Sequence, residues 1–295
     1  MPDTLRAQIA ESTQELIDAT IMLMPQEAPM PNLVTRRPIP KGKDSLEIPR
    51  ATTTATVLTP TEGDEITSSS QFDLTSTTIT PTLRAIKYRI SLSAQRFSKD
   101  ELVQLISQEM ARAQSQDIDT DLTAEFTNFG AGNDVGTTNT DLVLAVLREA
   151  RRRLKANTVA NGGPTPDPVF AVIAAIPEEN LFTNLGLQGL VASTSPWIPA
   201  GMSETLVRTY GLPDNPQLVG VKMFWDGYMT EDASGDFICA MFAKKALWLA
   251  VSHDWDMKTF EESNYIGTIL RSVALYDSGV GAYPLWGAQI TADGS

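Results

Sequence analysis

Three acidic residues, Asp117, Asp119 and Asp121, stand at alternate positions, the spacing with which a calcium-binding loop opens. Such a loop needs glycine at its sixth place and glutamate at its twelfth. Here those places hold Leu122 and Asn128, so the three carboxylates are read as a solvated helix face. The single histidine, His253, could act as a general base only beside a nucleophile and an orienting acid. It follows an apolar run next to Asp254 and Trp255, and nothing near it resembles a nucleophile elbow. The single cysteine, Cys239, alternates within an apolar strand and reads as core. One cysteine supports neither an intrachain disulfide nor a cysteine-based metal site. Gly130, Gly132 and Gly136 lack the dinucleotide fingerprint, which also requires a preceding strand where this chain has a helix. There is no phosphate-binding P-loop. Arg151-Arg152-Arg153 falls in the C-terminal half of a helix, a poor place for an anion. No catalytic, cofactor-binding or metal residue is expected.

The elements that would position any site are set by a chain of 295 residues with 42% hydrophobic content, enough for one large domain or two modest ones. Lys plus Arg number 23 against 36 Asp plus Glu, a net charge of −13. That balance argues against a phosphate-reading nucleic-acid protein and against adhesion to an anionic membrane. No apolar run approaches a membrane span, and the first residues lack the basic-then-apolar design of a signal peptide. A protein made in a reducing cytoplasm is expected.

The chain is organised around residues 83–129. From Leu83 to Phe97 it alternates by twos, with Ile86, Tyr88, Ile90, Leu92 and Ala94 on one face and Lys87, Arg89, Ser91, Ser93 and Gln95 on the other, the pattern of a half-buried strand. Ser98-Lys99-Asp100-Glu101 reads as a capping box. Leu102, Leu105, Ile106, Met110 and Ala113 then form one helical face, and the helix can run to Phe126 or Phe129 before Gly130 stops it.

Around this beam lie simpler segments. Residues 1–35 form an arm, helical over 3–23 and then broken by Pro25, Pro29 and Pro31. Residues 36–82 are distinct, with twelve threonines between Ala51 and Thr82 and few large apolar residues. Leu46–Thr59 and Phe72–Thr80 can pair as a ribbon with Glu62, Asp64 and Glu65 at its tip. A two-stranded ribbon without a core needs a partner surface. Thr140 can cap a second helix, with Leu142, Val143, Val146, Leu147, Ala150 and Leu154 inward. Val169–Ile176 reads as a buried central strand, Pro177 as the start of a short helix, and Glu204–Leu212 as another helix. Strands are expected at 221–229, 237–251, 265–275 and 280–290, with a turn at Asp277-Ser278-Gly279. The sum is an α+β plan.

This order resembles the major capsid proteins of tailed double-stranded-DNA bacteriophages, whose HK-ninety-seven-type fold is shared with encapsulin shells. By that resemblance, residues 1–35 are an N-terminal arm and 36–82 the extended E-loop hairpin. Residues 83–136 are the P-domain strand and spine helix, 137–235 the axial A-domain, and 236–295 the return strands of the P-domain. The resemblance implies a non-enzymatic subunit, without cofactors, that assembles in the host cytoplasm as hexamers and pentamers into the virion capsid. It implies a separate scaffolding protein, a portal, in some members a cement protein, and packaged DNA held without sequence-specific contact. An encapsulin-like compartment or an oligomeric binding protein or enzyme is the alternative. On this plan the acids of the ribbon, Glu62, Asp64, Glu65 and Asp73, are expected to meet Arg84, Lys87 and Arg89 of a neighbouring copy.

Overall fold

The computed structural model describes residues 29–52, 57, 59, 73–91, 99–158, 162–177, 180–181, 217–218, 220–229, 231–260 and 267–293. The expected arm helix, the Ser98 cap, the 204–212 helix and the ribbon tip lie outside them. In chain order the strands are β1 Thr35–Pro38, β2 Leu46–Ala51, β3 Leu74–Ile79, β4 Thr82–Ser91, β5 Val135–Gly136, β6 Val169–Ala174, β7 Gln217–Leu218, β8 Val221–Asp226, β9 Asp236–Ala243, β10 Leu247–Phe260, β11 Gly267–Val280 and β12 Gly287–Asp293. The chain divides into two compact units, one of residues 1–45, 80–122 and 249–278 and one of residues 46–79, 123–248 and 279–295.

In the first unit the sheet order is β1-β10-β11-β4. β4 pairs antiparallel with β11, from Thr82 opposite Tyr276 to Ser91 opposite Gly267. Over Ile86–Ser91 its alternation is the expected one, and the expected continuation through Leu92–Phe97 lies outside the described residues. Ile86, Tyr88 and Ile90 pack with Ile106, Met110 and Leu270, while Lys87 and Arg89 stand exposed. The helix over this face runs from Lys99 to Ala124, 26 residues, and ends in a tighter turn at Glu125–Asn128. At 1.5 Å per residue it is about 39 Å long.

The inward stripe of this helix differs from the expected one. Leu105 is 57% exposed, and the buried stripe continues through Met110, Gln114, Ser115, Ile118, Asp119 and Leu122. Polar groups sit in this stripe because the strands opposite carry matching polar groups. Buried Gln114 donates to buried Ser272 Oγ at 3.0 Å. A hydrophobic template alone therefore underrates the C-terminal half of the helix.

In the second unit β2 and β3 form the expected ribbon, with Leu46 opposite Ile79 and Ala51 opposite Leu74. Only Leu46, Ile48 and Ile79 of these two strands are buried. The large sheet is ordered β5-β12-β9-β6-β8-β7. Every residue of β6 is buried, as its unbroken apolar run predicts. β8 runs parallel to β6 and β9 antiparallel to it. One sheet face packs under the helix Leu144–Lys155 through Leu147, Ala150, Leu154, Ile173, Met223, Met241 and Ile290. On the other face Phe242 meets Phe126 and Phe129, with ring centroids 5.6 and 6.1 Å away. That helix begins at Leu144 with Val143 extended before it, so Thr140 is not its cap. Thr140 Oγ1 lies 2.8 Å from Thr137 Oγ1 instead.

Several strand boundaries differ from the sequence expectation: β6 ends at Ala174 and β8 at Asp226, each a few residues early. The run 237–251 is two strands in two sheets, parted where Ala246 N–H donates to Ala243 O at 2.8 Å and Lys244 and Lys245 face solvent. Asp277-Ser278-Gly279 is not a turn but lies within β11. Gly279 serves close packing, since a Cβ there would sit 2.8 Å from Ile79 Cγ1. The last strand is Gly287–Asp293 rather than 280–290.

Candidate functional site

The single cysteine and the single histidine lie in very different surroundings. Cys239 is fully buried, and burial pushes its thiol up to about 12, which removes the thiolate needed for nucleophilic chemistry. His253 lies on β10 with its side chain 56% exposed, and its nearest carboxylate is Asp256 Oδ2 at 3.8 Å. Among the described residues no three His, Cys, Asp or Glu side chains are grouped to hold a metal. His253→Ala should change subunit stability by less than about 0.5 kcal/mol, as for other exposed positions. Cys239→Ala should cost about 1 kcal/mol through lost packing. Urea unfolding checks both; loss of association in either variant while folded would give that residue a role beyond packing.

Asp226 ends β8 and is 2% exposed. Its Oδ1 accepts the Tyr228 N–H at 2.8 Å. Burial raises its pKa, and the Tyr228 N–H opposes that rise only in part. The folded chain thus holds this proton more tightly than the unfolded chain. The group favours the folded state below the ordinary carboxyl pKa of about 3.9, and that advantage is lost as pH rises through the raised folded value. Asp226→Asn keeps the acceptor and removes the charge. It should melt at a higher temperature than the parent at neutral pH, and the two curves should converge in acid. A parent melting equal to or above the variant at neutral pH would contradict the burial argument.

The Arg run of the Leu144–Lys155 helix is engaged within its own chain. Arg152 Nε reaches Glu149 Oε2 at 2.7 Å and Arg153 Nε reaches Glu149 Oε1 at 2.9 Å. These bonds hold the Glu149 carboxyl at about 2. Arg153 also donates to Asp134 O at 2.5 Å, and Lys155 to Asp167 Oδ1 at 2.9 Å. This is structural use of charge at a helix C-terminus.

The acids Asp117 and Asp121 are not a solvated face. They are one helical turn apart and point at the sheet. Arg84 Nη2 on β4 meets Asp121 Oδ2 at 2.6 Å, and its Nη1 lies 3.6 Å from Asp117 Oδ1. Tyr276 on β11 donates its hydroxyl to Asp117, and Ser278 Oγ donates to Asp121 O at 3.1 Å. Burial raises the Asp121 pKa against the pull of Arg84. For Arg84, burial works against the charge, and Asp121 and Asp117 outweigh it. Asp119, between them, is fully buried. In the sequence the i, i+4 spacing of the two acids marks a helix face, and only the fold shows that Arg84 and Tyr276 meet it.

Of the expected contact residues, Lys87 and Arg89 lie on the exposed face of β4. Arg84 is drawn inward by Asp117 and Asp121. Asp73, exposed before β3, closes the described ribbon through its carbonyl, which accepts the Thr52 N–H at 3.0 Å. Glu62, Asp64 and Glu65 lie outside the described residues.

One cavity at the root of the ribbon was not legible in the sequence. It measures about 310 Å³ and is lined by Arg50, Gly130, Ala131, Gly132, Tyr283, Pro284 and Leu285. The Arg50 guanidinium sits 5.2 Å over the Tyr283 ring, which meets Trp286 in a tilted pair with centroids 4.5 Å apart.

No protein-family model and no curated protein matches the chain. Solved structures do. The head structure of Helicobacter pylori bacteriophage KHP40 matches with TM-score 0.66 at 8% identity, over 91% of both chains. The capsid of Cyanophage P-SCSP1u matches with TM-score 0.64 at 14% identity, over 89% of this chain and 87% of that one. The holo-SrpI encapsulin complex of Synechococcus elongatus matches with TM-score 0.64 at 10% identity, over 90% of this chain and 88% of that one. The chain has the fold of tailed-phage capsid proteins and encapsulins, the α+β class expected from its sequence.

Proposed function

We propose that this chain is the major capsid protein of a tailed double-stranded-DNA bacteriophage, a non-catalytic subunit that assembles with copies of itself into a closed icosahedral shell. The observation that carries this reading is the likeness in fold over nearly the whole length of capsid and head proteins as well as of this chain. Three features support it. The β2–β3 ribbon buries little of its own surface, as suits a hairpin laid on another copy. Cys239 is buried, and Asp117, Asp121 and Glu149 are engaged by cations of their own chain. The net charge of −13 suits an inner wall against which packaged DNA can slide.

The finer points of this reading are proposals as well. They comprise the five-part division into arm 1–35, E-loop 36–82, P-domain 83–136 with 236–295, and A-domain 137–235. They also comprise hexamers and pentamers, partnership with a separate scaffolding protein and portal, and assembly in the host cytoplasm. The ribbon acids Glu62, Asp64, Glu65 and Asp73 are proposed to meet cations of the next copy, with Lys87 and Arg89 as candidates on β4. Arg84 serves its own chain. The fold of the SrpI encapsulin makes a protein compartment the second reading.

Expression of the full chain followed by sedimentation and cryo-electron microscopy tests the proposal. Closed particles of megadalton mass are expected. A stable monomer or small oligomer under all assembly conditions would overturn the shell. Particles purified from the native source that enclose protein cargo instead of DNA would favour the compartment.

A further inference from the structure

β8 and β9 stand on either side of β6 in the large sheet. β8 runs parallel to β6 and β9 antiparallel to it, so Asp226 at the end of β8 and Asp236 at the start of β9 lie where β6 leaves the sheet. The described residues 227–229 and 231–235 therefore belong to a strap that spans this end of β6. Its two halves are built differently. The outer half is fastened to β9. Asp232 N–H donates to Asp236 O at 2.8 Å, and Asp232 Oδ1 accepts the N–H groups of Ser234 and Asp236 at 2.7 and 3.0 Å. Glu231 forms a β-bridge with Phe237. The inner half is tied to β8 by the Asp226 carboxyl, which accepts the Tyr228 N–H at 2.8 Å, and Met229 packs on the core. At its root a Cβ added to Gly227 would meet nothing within 4 Å, so the chain is free of packing there and can hinge.

The Asp226 carboxyl is a poor place for a charge. It is 2% exposed, and its Oδ2 has no hydrogen-bond partner among the described residues. Burying a carboxylate with a single donor costs far more than burying the neutral carboxyl, which keeps the same acceptor and leaves one O–H unpaired. Among the described residues no charged side chain acts on it. β6 presents Ala174 opposite it, the strap presents the Tyr228 N–H, and β9 presents the Cys239 thiol, which feels the Asp226 charge and which burial keeps protonated. Water reaches Oδ2 only when something over it moves, and the hinged half of the strap is joined directly to Asp226.

We propose that Gly227–Met229 is a proton-operated flap, seated while Asp226 is neutral and lifted about Gly227 once Asp226 ionises, with the outer turn as its fixed end. Burial raises the Asp226 pKa in the seated form, whereas the lifted form has the ordinary carboxyl value of about 3.9. The seated form thus binds the proton more tightly. Its advantage is complete below about 3.9 and is lost as pH rises through the raised value. Lifting withdraws Met229 from the core, so loss of one proton bares apolar surface at this end of the sheet. Every residue involved belongs to one chain, and the flap stands whether or not the chain closes into a shell.

Hydrogen exchange of the full chain, read by mass spectrometry from about pH 4 to about pH 9, tests the flap, with sedimentation at each pH to hold the assembly state fixed. After division by the intrinsic rate, the peptide over Gly227–Met229 should exchange about tenfold faster at the upper pH than at the lower, while peptides within β6 and β9 stay unchanged. Asp226→Asn keeps the acceptor and cannot ionise, so it should hold the slow rate across the whole range. Gly227→Ala, which the open space accommodates, should slow exchange at the upper pH and leave the midpoint in place. A corrected rate in the parent that does not vary with pH overturns the flap. A variation shared equally by β6 and β9 also overturns it, because the whole fold then loosens. A variation that survives in Asp226→Asn assigns the proton to another group and overturns it as well. If Asp226→Asn fails to fold, the parent profile and Gly227→Ala decide, and unslowed exchange in Gly227→Ala at the upper pH removes the hinge.

Discussion

Phe242→Ala is expected to destabilise the unassembled subunit by about 3–5 kcal/mol, the range for emptying a phenylalanine site in a packed core. Phe242 is fully buried on β9 and touches both Phe126 and Phe129, which themselves stack at 6.0 Å. The site cannot collapse cheaply. Gly287 sits opposite Phe242 in the sheet, and a Cβ there would lie 2.3 Å from the Phe129 ring, so the aromatic group is already pressed on the β12 backbone. Phe242→Leu should recover more than half of the loss, because the volume is mostly kept. Chemical denaturation of both variants decides. A cost under about 1 kcal/mol for alanine would mean that the three rings are not a unit of the core.

Gly136→Ala should be nearly as damaging for a different reason. Gly136 has φ +86°, and an added Cβ would lie 2.1 Å from Thr291 O and 3.1 Å from Thr291 N and C. Backbone, not a flexible side chain, stands in the way. The substitution must part β5 from β12, which pair in parallel at Val135–Ile290 and Gly136–Thr291. Left-handed strain contributes about 1–2 kcal/mol and the clash a further 1–3 kcal/mol. Gly42 provides the control, since it has φ +88° and nothing within 4 Å of an added Cβ. Gly42→Ala should show the strain alone. Equal losses at the two positions would remove the steric part of the argument.

The contrast between those glycines is one that sequence cannot draw. Both read as loop glycines. Only the fold places Thr291 O against one of them, after a chain excursion of more than a hundred residues. Gly279 is a similar case. Beside Asp277 and Ser278 it has the composition of a turn, yet β11 runs through it, because Ile79 needs the space that a side chain would occupy.

What the sequence determined by itself was whatever rests on short-range periodicity. The β4 alternation, the apolar β6 run, the long helix and the β2–β3 ribbon stand where the pattern of apolar and β-branched residues puts them. Those patterns encode which face seeks burial, and burial is local to an element. Tertiary structure alone decided where polar groups went. Asp117 and Asp121 have the composition of a wet helix face, but Arg84 and Tyr276 come from two strands to receive them. Arg50 and Tyr283 are more than two hundred residues apart in sequence and stack as neighbours. A hydrogen bond or ion pair depends on the position of its partner to within an ångström, and that position exists only once the sheet is assembled.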